Sequence, residues 1–233
     1  MPNEYTSQWF DVFLETMPID LTTSEVEAVA TRLKLPEFRR ILDVCCGPAR
    51  HAAPLVQRGY EVTGVDRDAT AVAMASERCP GGRFIELDQR DLSRLDGTFD
   101  AVVILWQSFG YFDPSTNDQV LASIASVLRP GGRLLLDLFH RGYFEQNEGR
   151  ISPTRDPRCA AITNTMNGPR LRSDIEYADG SRETMEFELF TPDEIQDRAS
   201  PLGLDLIEAC CWWDSNRPPS IDEQRFQATF ERT

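Results

Sequence analysis

Residues 40–51 read Arg40-Ile41-Leu42-Asp43-Val44-Cys45-Cys46-Gly47-Pro48-Ala49-Arg50-His51. An apolar run ends in an acid, passes through small residues and a glycine, and enters a helical pattern. This is the strand–turn–helix arrangement that brings a backbone turn against a bound nucleotide. A dinucleotide fingerprint carries three glycines; the small residues of this turn are Cys45, Gly47 and Ala49, so the turn alone specifies little.

Downstream, the pattern repeats. A helix over 50–58 closes at Gly59, a strand over 60–65 ends at Asp66, and an alanine-rich helix over 69–78 breaks at Cys79-Pro80-Gly81-Gly82. A strand over 83–87 ends at Asp88, and the nearly continuous apolar run 99–105 reads as a strand covered on both faces. A helix over 118–128 meets Arg129-Pro130-Gly131-Gly132, a stop before a fifth strand over 133–138. Such alternation predicts an α/β, Rossmann-like doubly wound sheet, mostly parallel.

Upstream, the aromatic pattern over 5–16 suggests a short helix, and Thr23 or Ser24 can cap a second helix that Pro36 stops. The alternation fails after His140. Residues 145–158, with Gly149, Pro153 and Pro157, read as a connection. Residues 170–190 then alternate around Asp179-Gly180 as a hairpin. Its apolar residues Ile175, Tyr177, Met185, Phe187 and Leu189 are all odd-numbered, which requires a loop of odd length, expected as three residues with Gly180 left-handed. Thr191-Pro192-Asp193-Glu194 opens a helix closed by Gly203, and two last strands over 204–213 and 225–231 form an antiparallel pair. The sheet is therefore expected to have seven strands with the last antiparallel, plus a small antiparallel β insertion after strand five.

The 233 residues suffice for one large domain with a sizeable core, and 41% apolar with 27% charged residues is ordinary for a globular protein. A net charge of −14 repels a phosphate backbone or an anionic membrane, so neither nucleic acid nor membrane is expected as a partner. The six cysteines form no spacing suited to zinc and there are two histidines, so no metal is expected. With no signal-peptide pattern and no membrane-length apolar run, a cytoplasmic location is expected, the cysteines serving mostly as small buried hydrophobes. Oligomeric state is left open.

Asp43, Asp66 and Asp88 stand at three strand ends, on one rim of such a sheet. Three carboxylates suit a ligand carrying an ammonium, a ribose diol and an exocyclic amine, and do not suit a pyrophosphate. Together with these acids, the stretches Ile41–His51, Val62–Asp68, Asp88-Gln89-Arg90-Asp91-Leu92, Phe99–Val103 through Ser108-Phe109-Gly110-Tyr111, and Leu128–Asp137 resemble the motifs of class I S-adenosylmethionine-dependent methyltransferases. Within these the chain is similar to small-molecule enzymes of the amino-sugar and glycine N-methyltransferase types.

The resemblance implies S-adenosylmethionine as cofactor and a small-molecule substrate methylated at an amine nitrogen or hydroxyl. It implies a single methyltransferase-like domain: a helical cap over 1–36, a cofactor-binding core over 37–144, a β insertion or lid over 145–190, and a closing helix and strand pair over 191–233. Asp43, Cys45 and Gly47 would surround the methionine end, with Arg50 assisting its carboxylate. Asp66, beside Arg67, would accept from both ribose hydroxyls, Asp88 and Gln89 would read the adenine, and Leu105 and Trp106 would pass beside the methionine moiety. Cys45 and Ala49 depart from the commoner glycines.

Substrate-binding candidates are Tyr5, Trp9, Trp106, Tyr111, Tyr143 and Trp213, whose rings could equally be core. Ser108 and Tyr111 are polar candidates for catalysis and orientation. His140 follows strand five as a candidate general base, or as a loop histidine with a satisfied hydrogen bond. Two other chemistries keep the cofactor: an intramolecular cyclase releasing azetidine-2-carboxylate and methylthioadenosine, and a non-catalytic S-adenosylmethionine-binding module.

Overall fold

The computed structural model describes residues 3, 5–14, 16–152 and 156–233. Its helices are α1 (Ser7–Trp9), α2 (Ile19–Arg32), α3 (Ala52–Gln57), α4 (Ala69–Arg78), α5 (Pro114–Val127), α6 (Arg141–Gln146) and α7 (Pro192–Ala199). The strands are β1 (Arg40–Val44), β2 (Glu61–Asp66), β3 (Arg83–Glu86), β4 (Phe99–Ile104), β5 (Leu128–Phe139), β6 (Gly149–Ile151), β7 (Cys159–Asn167), β8 (Arg170–Tyr177), β9 (Arg182–Glu188), β10 (Leu204–Cys210) and β11 (Arg225–Arg232). A π-helical turn, Phe10–Leu14, continues α1.

Seven strands form one sheet in the order β10-β11-β5-β4-β1-β2-β3, with β11 antiparallel to both neighbours. The four strands β6-β7-β8-β9 form a separate antiparallel sheet after β5. This is the expected architecture. Residues 101–104 of β4 are fully buried, because helices cover both faces of the sheet. The β8–β9 turn is also as read: Ile175 pairs with Glu183, the Tyr177 N–H donates to the Ser181 carbonyl at 3.0 Å, and Gly180 has φ +87°.

Several boundaries differ from the sequence reading. α2 begins at Ile19, and the Thr23 and Ser24 hydroxyls donate to the Ile19 and Leu21 carbonyls within the helix instead of capping it. β5 begins at Leu128, since the Arg129–Gly132 segment remains in the sheet with a register irregularity opposite Phe99 and Ala101. The segment read as a connection over 145–158 carries the end of α6 and strand β6, and β7, paired with β6 and β8, follows it. Pro153 lies outside the described residues.

The insertion is clamped to the sheet at Gly110. Its carbonyl accepts the Glu188 N–H at 2.7 Å, and the buried Glu188 carboxylate accepts from Asn117 Nδ2 and Arg198, each at 2.6 Å. Gly110 has φ +101°, and a Cβ there would lie 2.3 Å from the Glu188 carbonyl oxygen. Gly110→Ala is expected to destabilise the chain by about 2 kcal/mol or more. Equilibrium denaturation checks this, and an unchanged midpoint would show that the clamp is slack.

Candidate functional site

The C-terminal ends of β1, β2 and β4 open into a cavity of about 610 Å³, roofed by the insertion sheet and the N-terminal segment. Sheets of this kind place their ligands at this edge. Asp43 comes from β1 and Asp66 from β2, while Asp88 and Gln89 follow β3.

The opening turn is held by its neighbour. Asp66 accepts the Gly47 N–H at 2.9 Å on one oxygen and the Asp68 N–H at 3.0 Å on the other, which spreads the turn across the ends of two strands. Gly47 has φ +50°. Cys45 and Ala49, the two departures from glycine, also have left-handed φ of +59° and +64°, at an expected cost of roughly 1–2 kcal/mol each. Trp106 and Gln107, leaving β4, are left-handed as well. Three of these, Cys45, Trp106 and Gln107, line the cavity, and such backbone strain clusters at ligand sites.

Two buried carboxylates hold the Trp106 turn. Asp137, at the end of β5, accepts from the Trp106 backbone N–H at 3.0 Å, from Arg225 at 2.7 and 3.1 Å, and from Gln227 at 2.9 Å. Glu25 of α2 accepts from the Trp106 indole at 2.6 Å, His51 at 2.8 Å and Arg50 at 2.9 Å. Burial pushes Glu25 up, but the His51 hydrogen bond and charge, Arg50 and the indole outweigh it and hold Glu25 at about 2. The Arg50 and Arg225 guanidiniums lie over the Trp106 ring at 4.5 and 5.0 Å.

The acids of the rim are unequal. Burial raises Asp43 to about 7, helped by the charge of Asp66 and opposed by Arg50. Burial also raises Asp66, against the lowering effect of its two backbone hydrogen bonds. Asp88 is held below its usual value by the bidentate Arg90 beside it. Asp43 Oδ2 and Gln89 Oε1 are buried with no hydrogen-bond partner among the described residues, and both residues line the cavity. A cofactor bearing an ammonium and an exocyclic amine fits these acceptors.

Most candidate residues meet here: Tyr5, Trp9, Asp43, Cys45, Gly47, Arg50, Asp66, Arg67, Asp88, Gln89, Leu105, Trp106, Ser108 and Tyr111 all line the cavity. The Tyr5 and Tyr111 hydroxyls are hydrogen-bonded to each other. Burial raises both phenols, so they stay protonated at neutral pH.

Three candidates lie elsewhere. Strand alternation turns Phe139 into the cavity and His140 away from it, edge-on to Phe226 at 5.6 Å. His140 Nδ1 is buried with no hydrogen-bond partner among the described residues, and the ring does not line the cavity where a general base would act. Tyr143 stands one residue before the cavity-lining Phe144 on α6 and packs on its ring edge at 5.4 Å. Trp213 lies against α2, with the Arg32 guanidinium 5.2 Å from its ring.

Sequence reading missed Glu25, Gln107, Asp137 and Arg225. Gln107 is buried, donates to the Phe109 carbonyl at 2.9 Å and accepts the Phe139 N–H. Asp137, the acid that interrupts the Leu134–Leu138 apolar run, was the one signal available.

A methyltransferase domain profile matches residues 41–132. A putative methyltransferase from Bacillus subtilis (strain 168) is 34% identical over 134 residues, covering 55% of this chain and 52% of that protein. One from Geobacillus sp. (strain WCH70) is 30% identical over 165 residues, covering 65% of this chain and 67% of that protein. The chain belongs to the methyltransferases.

Within this family, a glycine/sarcosine N-methyltransferase from Halorhodospira halochloris is 32% identical over 146 residues, covering 58% of this chain and 54% of that protein. The chain thus spans about half the length of several curated relatives. Its fold matches the S-adenosylmethionine-bound structure of an amino pentose methyltransferase from Micromonospora echinaspora, with a TM-score of 0.71 at 20% identity and all of both chains covered.

An acid raised by burial stabilises the folded chain only while protonated. The Asp43 contribution is complete below its unfolded value near 3.8 and is lost as pH rises to about 7. Asp43→Asn should therefore raise the melting temperature of the ligand-free protein by at least about 3 °C at pH 8, and by less at pH 4.5. Thermal unfolding at the two pH values checks the sign.

Proposed function

We propose that this chain transfers the methyl group of S-adenosylmethionine to a small molecule, at an amine nitrogen in preference to a hydroxyl. The observation that carries this reading is the unpartnered Asp43 carboxylate oxygen on the same rim as Asp66, in a cavity that continues beyond the acids into a chamber under the insertion. Asp43 would hold the cofactor ammonium, Asp66 the ribose hydroxyls, and Gln89 with Asp88 the adenine; Cys45, Gly47, Leu105 and Trp106 would flank the methionine end. Arg50 and Arg67 supply positive potential beside them.

The cofactor brings an activated methyl group on a sulfonium, so the chain's task is to align the acceptor and exclude water. Tyr111, with Tyr5, faces the chamber as a neutral phenol and can orient a nucleophile by hydrogen bonding, as can Ser108. Neither phenol ionises near neutrality and His140 lies outside the cavity, which favours an amine that needs little help from a base. The chamber also supports an external acceptor over intramolecular cyclisation. All six cysteines are unpaired, in keeping with a reducing cytosol. No helix among the described residues is long and apolar enough to cross a membrane.

Calorimetry with S-adenosylmethionine tests the cofactor roles: Asp66→Ala should weaken binding at least tenfold through loss of a charge-assisted contact, and unchanged affinity would remove Asp66 from the site. Tyr111→Phe should leave cofactor affinity intact and slow methyl transfer about tenfold or more. Equal turnover would deny it the orienting role.

A further inference from the structure

Beyond the acid rim the character of the cavity changes. On the insertion sheet the register sets Ile162 opposite Ile175 and Ser173 between Asn164 and Met185, and all five line the cavity together with Phe187. Phe139 and Phe144 close the side towards β5, and Phe10 and Phe13 close the side towards the N-terminus. The two polar side chains on this sheet face are joined, with Ser173 Oγ donating to Asn164 Oδ1 at 2.7 Å.

The cations of the cavity are engaged in the same way. Arg225 is bidentate to Asp137, Arg50 and His51 bind Glu25, and Arg67 donates to the Asn3 carbonyl. At Arg225 or Arg50 an acceptor carboxylate would have to compete with a buried acid for its partner, while Arg67, held by a carbonyl, stands at the acid rim beside Asp66 and Asp88. A polyhydroxylated sugar would leave several hydroxyls facing isoleucine, methionine and phenylalanine, which costs affinity for each hydroxyl left unpaired.

We infer that the acceptor of the proposed methyl transfer is an apolar, ring-bearing small molecule that presents one nucleophile towards Tyr111, and is neither an amino acid nor an amino sugar. This rests on the methyltransferase reading of the cavity and specifies its substrate. It separates this chain from its glycine-methylating relative and from the amino pentose enzyme that shares its fold. Ile162, Met185 and Phe187 are the specificity-determining contacts: each offers surface to an apolar body and none offers a hydrogen bond.

The test titrates protein saturated with S-adenosylhomocysteine with 1-naphthylmethylamine, glycine and glucosamine in parallel calorimetric runs. The aryl amine should bind at least tenfold more tightly than either polar amine. Ile162→Asp, at a half-buried position, should weaken it at least tenfold while S-adenosylhomocysteine still binds, which certifies that the variant is folded. Glycine or glucosamine binding as tightly as the aryl amine would overturn the inference, as would no binding by any of the three. Failure of S-adenosylhomocysteine itself to bind would strike the cofactor reading instead, and the same three titrations on the ligand-free protein would still decide the acceptor class.

Discussion

A buried carboxylate at the end of β5, Asp137, ties together the parts from which the site is made. It accepts from the backbone of the left-handed Trp106, from the Arg225 guanidinium and from Gln227, so one acid joins the turn after β4 to the antiparallel strand β11. Arg225 then covers one side of the Trp106 ring, whose indole reaches across to Glu25 on α2. Removing the carboxylate would leave the half-buried Arg225 guanidinium and the Trp106 N–H without their acceptor, a loss of up to about 3–5 kcal/mol by analogy with buried pairs. The left-handed Trp106 turn persists because contacts on several sides over-determine it.

That framework divides the cavity electrostatically. At the strand ends burial raises both Asp43 and Asp66, and the charge of Asp66 adds to the rise at Asp43, so a cation is favoured there. Across the chamber the walls are largely apolar, built from residues such as Ile162, Ile175, Met185 and Phe187. A cationic cofactor is thus favoured at one end and an uncharged body at the other. The division explains how a chain of strong negative charge can favour a sulfonium cofactor and still receive an apolar acceptor.

The core of the fold was legible because its signals are local: apolar runs ending in Asp43, Asp66 and Asp88, and punctuation at Gly59 and Cys79–Gly82. Even the loop length of the β8–β9 hairpin followed, since the parity of its apolar residues admits one register class. The site's supports were not legible, because each is a contact between distant segments. Glu25 meets Trp106 across 81 positions, and Asp137 meets Arg225 across 88. His140 was misplaced for a simpler reason: a shift of one residue along a strand reverses the face, and Phe139 took the cavity side. β7 escaped notice because its apolar residues are interleaved with threonine and asparagine and gain meaning only beside β8.

The most direct measurement is mass spectrometry of the products formed by the purified protein with S-adenosylmethionine, alone and with an aryl amine. Acceptor-dependent release of S-adenosylhomocysteine, matched by an amine heavier by one methyl group, is the predicted result. Methylthioadenosine formed without any acceptor would contradict methyl transfer and assign the cavity to cyclisation.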